Sequence, residues 1–281
     1  MIEIKNLEFS YGNKLVLKNI SLKLEAGKIY GLLGENGVGK TTLLSLLAGL
    51  KKPKQGTIVS YDESGEVSIP HHREPSYLAE ICYLPDEVYP APSKARKWAA
   101  ARGAFWPHFD AALFDRLMKD LEVDPEAKMN TMSAGQLKKT YICFSLATKA
   151  RYIFMDEPTN ALDIPSKAAF RKALLSCTGE ESTVVISTHQ VRDLENVIDP
   201  IVILDRQDVL LNAGLDRIAD KLYFDYGNTI KSESLYSEQL PGGFIQVYPN
   251  TMKEDSKVNI EALFNAVHKN KETLKALFAD E

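Results

Sequence analysis

A chain of 281 residues has room for one large domain or two smaller ones. Its hydrophobic content of 44%, charged content of 26% and net charge of -4 are those of a globular protein, and they argue against a dedicated nucleic-acid binder, which is usually basic. Cys82, Cys143 and Cys177 are scattered without C-x-x-C spacing and read as reduced thiols with no metal site.

Met1-Ile2-Glu3-Ile4-Lys5 alternates apolar and charged residues and is not a signal peptide. No run approaches about eighteen consecutive apolar residues, so no membrane span is expected. Residues 1–33 read as strands with turns at Gly12 and Gly27. A helix is expected from Lys40 to about Leu50, stopped by Pro53, followed by a strand over Gln55–Val59. Residues 60–76 read as a surface loop. His71 and His72 lie in it without further ligands at metal-binding spacing. Ile81-Cys82-Tyr83-Leu84 is a short buried strand.

Residues 88–150 change to helical character, with helices over about 93–103, 111–121 and 133–150. Trp98, Phe105, Trp106, Phe109 and Phe114 are expected to pack as a core, with a docking surface the lesser alternative. Tyr152–Met155 and Thr183–Ser187 are further buried strands, with helices over 165–176 and 190–197. Ile201–Leu204 and Val209–Leu211 form a hairpin turning at Arg206-Gln207-Asp208. Alternating apolar strands and helices predict an α/β fold with a largely parallel sheet covered on both faces. Beyond Gly214, two strands (221–226 and 243–248) and one amphipathic helix (260–278) are expected.

The chemistry concentrates in three stretches. Gly34-Glu35-Asn36-Gly37-Val38-Gly39-Lys40-Thr41-Thr42 reads G-x-x-x-x-G-K-T between a strand and a helix, a phosphate-binding loop for ATP or GTP. Glycines let backbone N–H groups approach an anion, and the helix start adds its partial positive charge. Lys40 is expected at the β- and γ-phosphates, and the Thr41 hydroxyl at Mg²⁺. Tyr152–Met155 leads into Asp156 and Glu157, adjacent carboxylates suited to holding Mg²⁺ and polarising a water. Ser133 and Gln136 have capping-box spacing at a helix start, where a second phosphate surface can be built.

With these motifs in order, the chain resembles the ATP-binding subunit of ABC transporters over residues 2 to about 215. Met132-Ser133-Ala134-Gly135-Gln136 resembles the family's L-S-G-G-Q motif with two substitutions. The resemblance implies a P-loop NTPase core of ABC type with an N-terminal antiparallel β-subdomain, and a helical subdomain at about 88–150. Residues 216–281 then form a small α+β C-terminal appendix. It further implies adenine stacking on Tyr11, Mg²⁺ at Thr41 and Asp156, and Glu157 as general base. His189 becomes the switch histidine at the γ-phosphate, and Asp163 lies in the dimer loop. Ser133, Ala134, Gly135 and Gln136 would complete the ATP site of a second copy packed head to tail. ATP and Mg²⁺ are the expected ligands. The expected partners are a second copy and hydrophobic multi-span membrane subunits, with no nucleic acid, at the cytoplasmic face of the plasma membrane. A soluble ABC-type ATPase not coupled to transport is the alternative.

Two departures stand out. Asp86 occupies the position where the family usually has Gln, an acidic replacement resembling a branch of bacterial exporter subunits. Ala134 replaces the motif's first glycine, which costs about 1 kcal/mol only if the backbone needs positive φ.

Overall fold

The computed structural model describes residues 1–62, 65–205 and 207–279. Strands β1 (Ile2–Tyr11) and β2 (Lys14–Leu24) pair antiparallel. Strand β3 (Lys28–Leu33) leads into the phosphate loop and helix α1 (Lys40–Leu47). Strands β4 (Gln55–Tyr61) and β5 (Val67–Ser68) return to extend the first sheet, in the order β2-β1-β4-β5. Helix α2 (Pro75–Ala79) precedes β6 (Ile81–Leu84). Helices α3 (Ala95–Gly103), α4 (Ala111–Asp120) and α5 (Ala134–Ala147) follow. The chain then runs through β7 (Tyr152–Asp156), α6 (Ile164–Cys177), β8 (Thr183–Thr188), β9 (Ile201–Asp205) and β10 (Asp208–Ala213). It ends with α7 (Leu215–Lys221), β11 (Leu222–Gly227), β12 (Tyr236–Leu240), β13 (Gly243–Pro249), α8 (Ile260–Lys269) and α9 (Lys271–Phe278).

The central sheet has the order β10-β9-β3-β8-β7-β6, parallel except for β10. Its middle strands are apolar on both faces because both faces are covered. The strand alternation sorts them: Tyr30, Leu32, Tyr152 and Phe154 pack with α1 and the first sheet. Ile29, Leu33, Ile153 and Met155 pack with α5, α6 and the C-terminal elements. Parallel strands bring their carboxyl ends to one edge, where ligands of open α/β sheets bind. That edge receives the loops after β3, β6, β7 and β8.

The helical stretch is joined to the sheet by Trp106, whose indole N–H donates to the Ile81 carbonyl at 2.7 Å. Trp98 and Phe114 are buried, and Phe144 meets Trp98, Trp106 and Phe109 at ring separations of 4.9, 5.4 and 5.6 Å. The aromatic group is therefore core packing, except Phe105, which is 76% exposed. Cys82, Cys143 and Cys177 are free thiols, the first two buried. Burial raises Cys82 to about 11, so it stays protonated and inert.

Several local expectations are corrected. Residues 190–197 do not form an α-helix; only a short 3₁₀ turn, Val191–Asp193, is present. The Asp193 carbonyl accepts from Arg171 at 2.9 Å instead of from a following helical N–H. The expected helix over 260–278 is two helices, broken where Asn270 leaves helical geometry and its amide donates to the Leu235 and Ala266 carbonyls. Helix α7 and strand β12 were not anticipated; β12 carries Ser237, Glu238 and Gln239 and has little apolar signal. His71 and Pro70 sit in a 3₁₀ turn rather than an irregular loop. The β9–β10 hairpin is present, and Arg206 of its expected turn lies outside the described residues.

The C-terminal elements share one buried cluster with the sheet: Ile218, Leu222, Val247, Leu263 and Val267 join Ile201 and Leu211. Ion pairs add links, Lys271 to the buried Asp205, and at the surface Lys275 to Asp208 and Arg192 to Glu261. Asn259 caps α8 by accepting from the Ala262 N–H at 2.9 Å. Asn259→Ala is expected to lower stability by about 1 kcal/mol, read as a shift of the urea midpoint at constant slope.

Candidate active site

The phosphate loop curls back because Gly39 takes φ +117°, and a Cβ there would meet Leu17 Cδ2 at 2.8 Å. Helix α1 starts directly after it with no side-chain cap. Its first N–H groups are left for a ligand. Lys40 is only 6% exposed. Its ammonium donates to the carbonyls of Gly34 (2.7 Å) and Glu35 (3.2 Å) and lies 3.8 Å from Glu157 Oε1. Burial pulls its pKa down, and Glu157 and then Asp156 push it back up.

A recess of about 310 Å³ opens here, lined by Tyr11, Asn36, Thr41, Asp86, Asp156 and Glu157 among others. Tyr11 stands at its rim, 48% exposed. The Tyr11 hydroxyl is 3.4 Å from Thr42 Oγ1, and the Lys51 ammonium sits 4.9 Å from the ring centroid.

Asp156 ends β7 buried, its carboxylate accepting from the Ser187 hydroxyl. Glu157 follows with φ +44°, a left-handed conformation uncommon for Glu. Its N–H donates to both the carbonyl and the hydroxyl oxygen of Ser187, each at 3.1 Å. This pins the bend that lets two consecutive carboxylates face one recess. His189 Nδ1 lies 2.8 Å from Glu157 Oε1, the same oxygen that faces Lys40. Lys40, Asp86, Asp156 and Glu157 thus share the recess, and His189 reaches it through Glu157.

Asp86 follows β6 and accepts from the Asn160 amide at 3.2 Å. Beneath it, Lys138 donates to the carbonyls of Asp86 (2.7 Å) and Pro85 (3.1 Å). Sequence reasoning missed Ser187, Asn160 and Lys138. The available signals were a serine ending an otherwise apolar strand and a lysine on a helix face that packs inward.

Ser133 caps α5 with the full capping box: its hydroxyl accepts from the Gln136 N–H at 3.2 Å, and Gln136 Oε1 accepts from the Ser133 N–H at 3.0 Å. Ala134 is the first helical residue with ordinary φ, so its methyl group costs nothing there. Gly135 is needed for a close approach, since a Cβ would fall 2.9 Å from the Ala161 carbonyl oxygen. Ser133 to Gln136 do not line the recess of their own chain. Asp163 caps α6, accepting from the Ser166 N–H at 2.9 Å; hydrogen bonds from Ser166 hold its carboxyl below the usual range.

The family model described as "ABC transporter" matches residues 17–160. The chain belongs to the ABC transporter family. It is an ATP-binding, ATP-hydrolysing subunit of that family, built without a helix long and apolar enough to cross a membrane among the described residues. It is 28% identical to the ABC transporter ATP-binding protein YtrB of Bacillus subtilis, over 79% of this chain and 74% of YtrB. It is also 28% identical to the uncharacterized ABC transporter ATP-binding protein MJ1023 of Methanocaldococcus jannaschii, over 84% of this chain and 88% of the relative. Among solved structures, an ATP-binding subunit of an ABC transporter shares the fold, with a TM-score of 0.68 at 22% identity, covering 78% of this chain and 91% of that one.

Proposed function

We propose that two copies of this ABC subunit pack head to tail around ATP and that their opening and closing drives separate membrane-spanning subunits. In this reading residues 1–215 form the ATP-binding cassette, with the helical stretch at about 88–150, and residues 216–281 are an appendix. The protein works at the cytoplasmic face of the membrane, held there by its partners.

The observation that carries the reading is the placement of Ser133 to Gln136. They form a capped helix start with N–H donors in place, yet they lie outside the recess that holds Lys40. A second copy turned head to tail brings that helix start to the triphosphate. Tyr11 then offers its exposed ring to adenine, and the loop N–H groups from Asn36 to Thr42 with Lys40 hold the phosphates. Thr41 and Asp156 are hard oxygen donors suited to Mg²⁺. No group of three or more His, Cys, Asp or Glu that could hold a metal occurs among the described residues, so the remaining ligands would be phosphate and water oxygens. Bound Mg²⁺ neutralises charge on the β- and γ-phosphates.

Glu157 takes the proton of the attacking water as its oxygen forms the bond to γ-phosphorus, and ADP leaves with the bridging oxygen. His189, bonded to Glu157, orients that carboxylate and contacts the γ-phosphate. Both copies grip one γ-phosphate, so its loss removes the shared ligand and the dimer opens.

Complementation tests the composite site. Ser133→Arg and Lys40→Ala proteins are each expected to be inactive. Mixed, they form a heterodimer with one intact site, pairing the Lys40 of one copy with the Ser133 of the other. ATPase activity returns on mixing if the sites are shared, and stays absent if each chain carries a complete site.

A further inference from the structure

Lys138 is a charged residue buried to 3% exposure, outside the recess and outside the motifs of the chain. An ammonium has three N–H donors. Here three backbone carbonyls receive it: Asp86 at 2.7 Å, Pro85 at 3.1 Å and Asp156 at 3.5 Å. The Asp86 carboxylate adds opposite charge at 3.9 Å. Burial pulls the Lys138 pKa down, and Asp86, Asp156 and Glu157 oppose the shift.

Three segments therefore meet at one nitrogen: helix α5, the loop after β6, and the end of β7. Two of them carry Asp86, Asp156 and Glu157, on which water attack in this chain's own site depends. The third begins with Ser133 to Gln136, only about 6 Å along the helix axis from Lys138. In the head-to-tail arrangement, that helix start belongs to the opposite ATP site. A helix turn is stiff, so a displacement at its start is delivered to the ammonium. The ammonium cannot slip from its carbonyls cheaply, since a buried charge without partners is strongly unfavourable.

We infer that Lys138 is a positioning residue that couples the two ATP sites, passing occupancy of one copy's site to the hydrolytic loop of the other. The inference rests on the composite-site reading. The Asn160 amide on Asp86 Oδ1 at 3.2 Å supports it, because it fixes the side chain of the loop whose backbone Lys138 holds. It also gives Asp86 a local meaning: its negative charge joins those of Asp156 and Glu157 in offsetting a buried cation, a contribution a neutral glutamine would not make.

The test compares the parent with Lys138→Met, nearly isosteric without charge, and Lys138→Arg, which keeps charge and donors. Three quantities are read: the dependence of ATP turnover on ATP concentration, binding of a fluorescent ATP analogue to the monomer, and the melting temperature. Lys138→Met is expected to bind the analogue like the parent, to lose about 10- to 100-fold in kcat and to show a Hill coefficient falling to 1. Lys138→Arg is expected to recover part of both. A kcat and Hill coefficient matching the parent's would overturn the inference. So would a kcat loss that keeps the parent's cooperativity, or one that only follows a lowered melting temperature. Should Lys138→Met fail to fold, Lys138→Gln, whose amide keeps two donors, carries the same measurements. A parent without cooperativity whose sites complement on mixing overturns this coupling alone; failure to complement overturns the head-to-tail reading beneath it.

Discussion

Glu157→Gln is expected to lower ATP turnover by about 10²- to 10⁴-fold and to leave two copies locked together in MgATP. The substitution keeps the size of the side chain and an oxygen able to stay near His189 Nδ1, now 2.8 Å from Glu157 Oε1. It removes the ability to take a proton from water, together with the negative charge that faces Lys40 and His189. In the composite site proposed above both halves would still grip the γ-phosphate, so the dimer is expected to form and not to release. Light scattering after gel filtration should show a dimer in MgATP and a monomer in MgADP. A Glu157→Gln protein that stays monomeric in MgATP and hydrolyses at the parental rate would remove Glu157 from the role of base.

Lys40→Ala is expected to weaken ATP binding by about 2–5 kcal/mol, a factor of roughly 30 to several thousand in Kd. Two losses combine. The phosphates lose a cation in a desolvated site, and the Gly34 and Glu35 carbonyls lose the ammonium that now holds the loop at 2.7 and 3.2 Å. Lys40→Arg does not rescue, because a planar fork cannot occupy a niche built around a compact ammonium. Titration calorimetry with ATP measures the change directly. Binding at the parental Kd would show that the loop N–H groups carry the affinity without Lys40.

The chain's core was legible because its signals are strong and local. Apolar runs such as Tyr152–Met155 stand out from polar surroundings, and glycine spacing around Lys40 leaves few alternatives. Parallel strands then place four loops on one edge without further information. What was not legible depends on tertiary partners. The break at Asn270 follows from a bond to Leu235, 35 residues earlier, and no period in the sequence announces it. The stretch after His189 has helical composition but is drawn into a 3₁₀ turn by Arg171 and Lys167 of α6. Nothing in the sequence separates Lys138 from the neighbouring Lys139 of the same helix; only the carbonyls around it do. Asp86 was marked as anomalous by its type alone, whereas its partners Asn160 and Lys138 lie 74 and 52 residues away.

Ala134 has a consequence for binding entropy. Glycine at a helix start samples many backbone states in the unfolded chain, and fixing it costs more than fixing alanine, by about 0.4–1 kcal/mol at a compatible position. Ala134 takes ordinary helical geometry between the capping residue Ser133 and the closely packed Gly135. In the head-to-tail arrangement proposed above, the donors offered to a neighbouring copy's triphosphate stand in a segment with little freedom left to lose. More of the contact free energy goes into holding two subunits together, and less into ordering the surface that holds them.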